Sequence, residues 1–224
     1  MNPNQFNQAV ARPQAAGVEV NKVLKNTYIL LSLTLLFSAA VAGMSMAFNW
    51  PHPGLILTLV GYFGLLFATN YFRNSAVGLV CIFALTGFMG LTLGPIVGHY
   101  MTAVPNGHQL VMTAMGATGI IFLGLSGYAL VSRKDFSFMA GFLFSGILIA
   151  FLAGLGAVIF QIPALSLAVS AMFVLLMSGL ILYQTSEIIH GGETNYIMAT
   201  VTLFVAIYNL FLSLLQLLGI FGDE

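Results

Sequence analysis

The chain has 224 residues, 59% of them hydrophobic and only 5% charged. Six basic and six acidic side chains cannot cover a soluble fold of this length, in which about a quarter of residues would be charged, so soluble classes are excluded. The formal net charge is zero, which offers nothing to nucleic acid, and the composition describes one integral membrane protein.

Residues 1–17, MNPNQFNQAVARPQAAG, are rich in Asn, Gln, Pro and Ala and carry little periodicity. Such a segment cannot bury enough apolar surface to fold, so residues 1–26 are expected to form a flexible tail. Arg12, Lys22 and Lys25 make it a candidate partner-binding segment, and the two lysines also suit anionic lipid headgroups at the bilayer surface. Residues 27–224 are then the transmembrane domain.

Stretches without Lys, Arg, Asp or Glu count the spans. They cover 26–72, 74–132, 136–186 and 194–222, which are 47, 59, 51 and 29 residues long. A bilayer crossing needs roughly 20 apolar residues, so the first three stretches each hold two helices and the last holds one. The expected fold is all-α, a polytopic bundle of seven transmembrane helices. NWPHPG (49–54), HYMTAVPNGHQ (99–109) and QIP (161–163) supply the breaks, since proline removes a helix donor and restricts its predecessor. The helices are expected near 27–48, 54–72, 75–98, 109–131, 137–160, 164–186 and 196–221. The first run is longer than the apolar core of a signal peptide and reads as a retained anchor.

In this arrangement Arg12, Lys22, Lys25, Arg73, Arg133 and Lys134 all fall on one side. The positive-inside bias then places the N-terminus in the cytoplasm and the C-terminus outside. The 24 glycines suit close packing of helices in lipid. GLTLGPIVG (90–98) sets Gly90, Gly94 and Gly98 on one face of the third helix, with Pro95 among them. GATGIIFLGLSG (116–127) repeats the theme in the fourth helix. Tight intramolecular packing, a homodimer face and a ligand cleft all remain open for these faces.

The spans hold essentially no ionisable groups, which proton or ion coupling inside a membrane normally requires. No lysine lies within a span to carry a retinal Schiff base. His99 and His108 have neither Cys nor carboxylate nearby, so no metal site is expected there. Ser126 has no His or acid partner for hydrolysis. Cys81 stands alone in an apolar run.

The remaining polar cluster is YQTSEIIHGGETNYI (183–197), between the last two helices. Glu187 and His190 share a helical face, but di-iron bundles need two such E-x-x-H motifs and two further glutamates. Gly191-Gly192 is expected to end the helix, and Thr194 or Asn195 to cap the next. A solvated turn, a weak cation, proton or headgroup site, and a partner contact are the open readings for Glu187, His190 and Glu193. Gln184 and Asn209 join them as candidate polar residues. No catalytic residue, metal or cofactor is expected.

KVLKNTYILLSLTLLFSA (22–39), PGLILTLVGYFGLLF (53–67), GLTLGPIV (90–97), SRKDFSFMAG (132–141), IIHGGETNYI (188–197) and ETNYIMATVTLFVAIYNLFLSLLQLLG (193–219) carry a resemblance across nearly the whole chain beyond residue 20. Together they resemble the Bax inhibitor-1 family of seven-span membrane proteins, and within it the bacterial inner-membrane branch. The resemblance implies a bundle with the last helix central or partly re-entrant. It also implies a non-enzymatic modulator of a membrane-anchored AAA protease of the FtsH type and its membrane complex, engaged through the tail and the bundle. A second implied role is a calcium or proton-linked leak channel, or a small-solute transporter. Some family members use two aspartates on spans six and seven for that leak. Here the matching positions hold Gln184, in LYQT, and Ala206, in LFVAIYNLF, so both carboxylates are missing.

Overall fold

The computed structural model describes residues 3–221, with side chains from Glu19 to Ile220. Its helices follow in order as α1 (Pro3–Ala47), α2 (Leu55–Tyr71), α3 (Ala76–Ala103), α4 (Gly107–Ser132), α5 (Ala140–Ile159), α6 (Pro163–His190) and α7 (Tyr196–Phe221). A 3-10 turn, Ser137–Met139, leads into α5. Six helices, with α1 counted from Glu19, are long and apolar enough to cross a membrane by length and composition. The helix α2 has 17 residues, or about 26 Å at 1.5 Å per residue, short of a hydrocarbon core near 30 Å. The expected seven spans are therefore six full-length candidates and one shorter apolar helix.

Helix α1 runs from Pro3 to Ala47, across the division at residue 26. The segment 18–26, VEVNKVLKN, carries no Gly or Pro to interrupt a helix that enters a span. Arg12 and residues 1–17, as side chains for a partner, lie outside the described residues. One boundary differs from expectation: the third helix continues through His99–Ala103, because the first true breaker after Gly98 is Pro105. The turn between α3 and α4 narrows to 104–106, with Asn106 at φ 56°. Gln161 (φ 53°) and Gly191 (φ 77°) occupy the same left-handed region at the turns after α5 and α6.

Small residues decide how α1 meets α3. A Cβ on Gly90 would strike the Ser38 carbonyl, and one on Gly94 would come within 2.6 Å of Ser45 Cβ. Gly98 has more room, with Met46 Cγ at 3.9 Å. Pro95 lies inside α3 without ending it. It deprives the Leu91 carbonyl of its helical donor, and Ser45 Oγ on α1 donates to that oxygen at 3.1 Å. Four glycines within α4 behave differently: Gly116, Gly119, Gly124 and Gly127 have nothing within 4 Å of an added Cβ.

Helix α7 is central. It packs against α1, α2, α3, α4 and α6, while α5 lies on α6 at the edge. Phe204, Leu203, Ile207, Leu210 and Leu215 of α7 fill the core from end to end. Toward its C-terminal end, Gln216 donates to Ser166 Oγ at 2.6 Å and accepts from Ser170 Oγ at 2.7 Å, joining α7 to α6.

Candidate functional site

The end of α6 forms a Schellman cap. Gly191 N–H donates to the Ile188 carbonyl at 3.3 Å, and Gly192 N–H to the Glu187 carbonyl at 2.9 Å. Glycine at 191 allows the left-handed turn, and at 192 it leaves space that the Glu187 carboxylate occupies. Three residues later Asn195 starts α7. Its Oδ1 accepts from the N–H groups of Ile197 (3.0 Å) and Met198 (3.1 Å), so of the two expected candidates, Thr194 and Asn195, it is Asn195 that caps the helix. The Glu193 carboxylate accepts from Asn195 N–H at 2.7 Å.

This turn holds two other loops. Asn195 Nδ2 donates to the Arg73 carbonyl at 3.0 Å and to Asn74 Oδ1 at 2.8 Å, in the loop between α2 and α3. His190 Nε2 lies 3.1 Å from the Arg133 carbonyl and its Nδ1 2.9 Å from the Ser186 carbonyl, and a neutral ring donates to one of the two. Ser186 Oγ donates to the Lys134 carbonyl and accepts from Phe136 N–H, both at 3.1 Å. Three loops are therefore tied together at one end of the bundle, and that end carries exposed Arg73, Arg133 and Lys134. Lys22 and Lys25 are exposed on α1 just before Thr27, whose carbonyl accepts from Thr200 near the start of α7, so they share this basic end. Asp135, fully exposed there, is held below the ordinary carboxylate range. The backbone and side chain of Ser137 donate to it, and the His190 charge adds to the effect.

The five candidate residues do not form one site. Glu187, His190 and Glu193 gather at the basic end. Gln184 lies deeper, 5% exposed, and its Nε2 has no hydrogen-bond partner among the described residues. Asn209 is the fourteenth residue of the 26-residue α7, about 20 Å along the helix from Tyr196. Its amide donates to its own Val205 carbonyl at 2.8 Å. Among the described residues no three His, Cys, Asp or Glu side chains converge as metal ligands.

A separate polar knot beside Gln184 has no counterpart in the sequence reading. Thr185 Oγ1 donates to the Ile181 carbonyl at 2.8 Å, which uses its only proton. Tyr28 of α1 and Ser126 of α4 therefore both donate to Thr185, each at 3.3 Å. Ser126 thus joins helices. Thr27 Oγ1, also buried, has no partner among the described residues. The i, i+4 spacing of Ser186 and His190 is a signal that could have pointed to their contact, whereas nothing in the sequence signals the convergence of Tyr28, Ser126 and Thr185.

One cavity of about 450 Å³ reaches Asn209 but is not lined by Gln184. It lies between α2, α3, α5, α6 and α7, and its walls are mainly Phe, Leu, Ile and Met.

Residues 20–223 match the family described as Inhibitor of apoptosis-promoting Bax1. The chain is 53% identical to a protein of Pseudomonas aeruginosa over 220 residues, covering 98% of this chain and 97% of that one. It is 50% identical over 202 residues to the Modulator of FtsH protease YccA of Escherichia coli K12, covering 90% of this chain and 91% of that one. A protein of E. coli O6:H1 named Inner membrane protein YccA matches to the same extent.

Proposed function

This chain belongs to the Bax inhibitor-1 family, and from that premise we propose that it is a non-enzymatic modulator of a membrane-anchored AAA protease of the FtsH type. It resides in the bacterial inner membrane with seven spans, a cytoplasmic N-terminus and a periplasmic C-terminus. The observation that carries this reading is the 50% identity, over 90% of the chain, to a relative named for modulating FtsH. The basic end of the bundle is then the cytoplasmic face, where the positive-inside bias places it. The N-terminal segment, with Arg12, Lys22 and Lys25, is the part a cytoplasmic unfolding machine can grasp. A body tied together at that face by His190, Ser186 and Asn195 resists being pulled.

An ion leak is the weaker reading. The two positions where the family resemblance implies carboxylates hold Gln184 and Ala206, both buried, and the cavity at Asn209 has apolar walls. Neither amide nor methyl can share a proton as a carboxylate pair does.

The test is affinity capture from membranes, comparing the full chain with a deletion of residues 2–17. The protease is expected to co-purify with the full chain, and its turnover of other membrane substrates to slow. The deletion should keep its thermal stability and lose both effects. Equal capture and inhibition by the deletion would overturn the tail mechanism. Calcium or proton flux through liposomes carrying the pure protein would revive the leak.

A further inference from the structure

The cavity at Asn209 lies at mid-depth in the bundle. Phe88 is the thirteenth of 28 residues in α3, and Asn209 the fourteenth of 26 in α7. Its entrance is set by two helices with different partners. Helix α2 packs on α3 and α7, and α5 on α6. They meet through Phe63 and Phe151, edge to face with centroids 5.8 Å apart. Two lining residues of α5, Phe144 and Leu148, are 75% and 49% exposed, so the cavity opens sideways toward the lipid.

The polar atoms at the cavity divide into used and unused. Thr92 donates to the Met89 carbonyl at 2.8 Å, so the Tyr208 hydroxyl donates to Thr92 at 3.1 Å. Thr58 donates to the Gly54 carbonyl at 2.7 Å. Asn209 spends one N–H on Val205, and its Oδ1 and second N–H make no hydrogen bond among the described residues. The Tyr62 hydroxyl makes none either. No Asp, Glu, Lys, Arg or His lines the cavity, so a charged ligand group would be buried without a countercharge. The volume is in the range of small-molecule sites, about 300–1,000 Å³, and is too small for a helix about 10 Å across.

We propose that this cavity binds one neutral membrane lipophile, a long hydrocarbon chain ending in a carbonyl or hydroxyl group. The ligand enters from the bilayer between Phe63 and Phe151. Its chain lies on the aromatic and aliphatic walls, and its polar end exchanges hydrogen bonds with Asn209 and Tyr62.

The test uses the full chain in liposomes and a long-chain alcohol carrying a diazirine, with adducts located by peptide mass spectrometry. Labelling is expected to concentrate on α2 and α5 at the cavity, above the level at lipid-facing Met112 and Leu123 of α4. Oleyl alcohol should compete about tenfold better than octadecane, the ratio expected for one hydrogen bond worth about 1.4 kcal/mol, and oleate, whose charge would be buried without a countercharge, should compete poorly. Asn209→Leu should keep its thermal stability and lose that preference, and Ile147→Trp should block labelling by filling the cavity. Labelling no higher than on α4 would overturn the proposal. So would equal competition by octadecane, or an unchanged alcohol preference in Asn209→Leu.

Discussion

Ser45 Oγ donates to the Leu91 carbonyl at 3.1 Å, the one group in α3 that Pro95 leaves without its helical donor. In lipid no water can take that role, so the hydroxyl of α1 completes the backbone of α3. Ser45→Ala should destabilise the protein by about 1–3 kcal/mol through an unsatisfied buried carbonyl. Pro95→Ala restores the helical N–H, and in that background Ser45→Ala should have little effect. Thermal unfolding of the four proteins in detergent, read as a double-mutant cycle, checks this. Additive losses would sink the assignment.

Two glycines, one in this interface and one outside it on α4, should respond in opposite ways. Gly90→Ala pushes a methyl group into the Ser38 carbonyl and should cost about 1–3 kcal/mol. Gly116→Ala meets nothing within 4 Å and should be neutral or slightly stabilising. Melting temperatures of the two variants, measured side by side, give the comparison.

His190 fastens the loop after α4 to the end of α6 through the Arg133 carbonyl at 3.1 Å. A neutral imidazole can donate to Arg133 or to Ser186 but not to both. With its proton on Nε2, His190 makes one of these bonds, so His190→Ala removes about 1 kcal/mol and should raise opening of residues 133–136 about fivefold. Hydrogen exchange in nanodiscs is the readout. Unchanged protection of that loop would remove His190 from its proposed role in stiffening this face.

Asn195 has two separable duties. Asn195→Ala loses the cap on α7 and the bonds to Arg73 and Asn74, and should destabilise by about 1–2 kcal/mol. Asn195→Asp keeps an oxygen for the cap and loses the donation, so it should fall between wild type and Ala. Its melting temperature, set beside the Ala variant's, separates the two duties.

Asp135 sets a low-pH limit on its turn. Its carboxylate accepts from Ser137 N–H at 2.8 Å and is held below the ordinary value of 3.8. A depressed folded value means that the stabilising contribution is present above pH 3.8 and is lost as pH falls through that lower value. A carboxyl-carbon NMR titration in nanodiscs should give a midpoint below 3.8, and Ser137→Ala should move it upward. A midpoint at or above the ordinary value would contradict the geometry.

Helix number, most turn positions, the stop at Gly191 and an N-cap at Thr194 or Asn195 were legible in the sequence, because each depends on neighbours within a turn or two. Charge-free runs count helices, left-handed turns want Gly or Asn, and an N-cap needs a side-chain oxygen two or three residues before its donors. The clustering of basic residues at one end followed from the same count. What the sequence could not determine was which face of each helix turns inward. Every span is apolar all round, so periodicity carries no signal for rotation, and lipid offers no hydrophobic gradient to supply one. Tertiary packing decided it, through Gly90 and Gly94 against α1 and through the central placement of α7. That packing brought Tyr28 and Ser126 to Thr185 and Ser45 to Leu91, and tied His190 to Arg133. It also set Asn209 in an apolar cavity, apart from the Gln184 with which the sequence had grouped it.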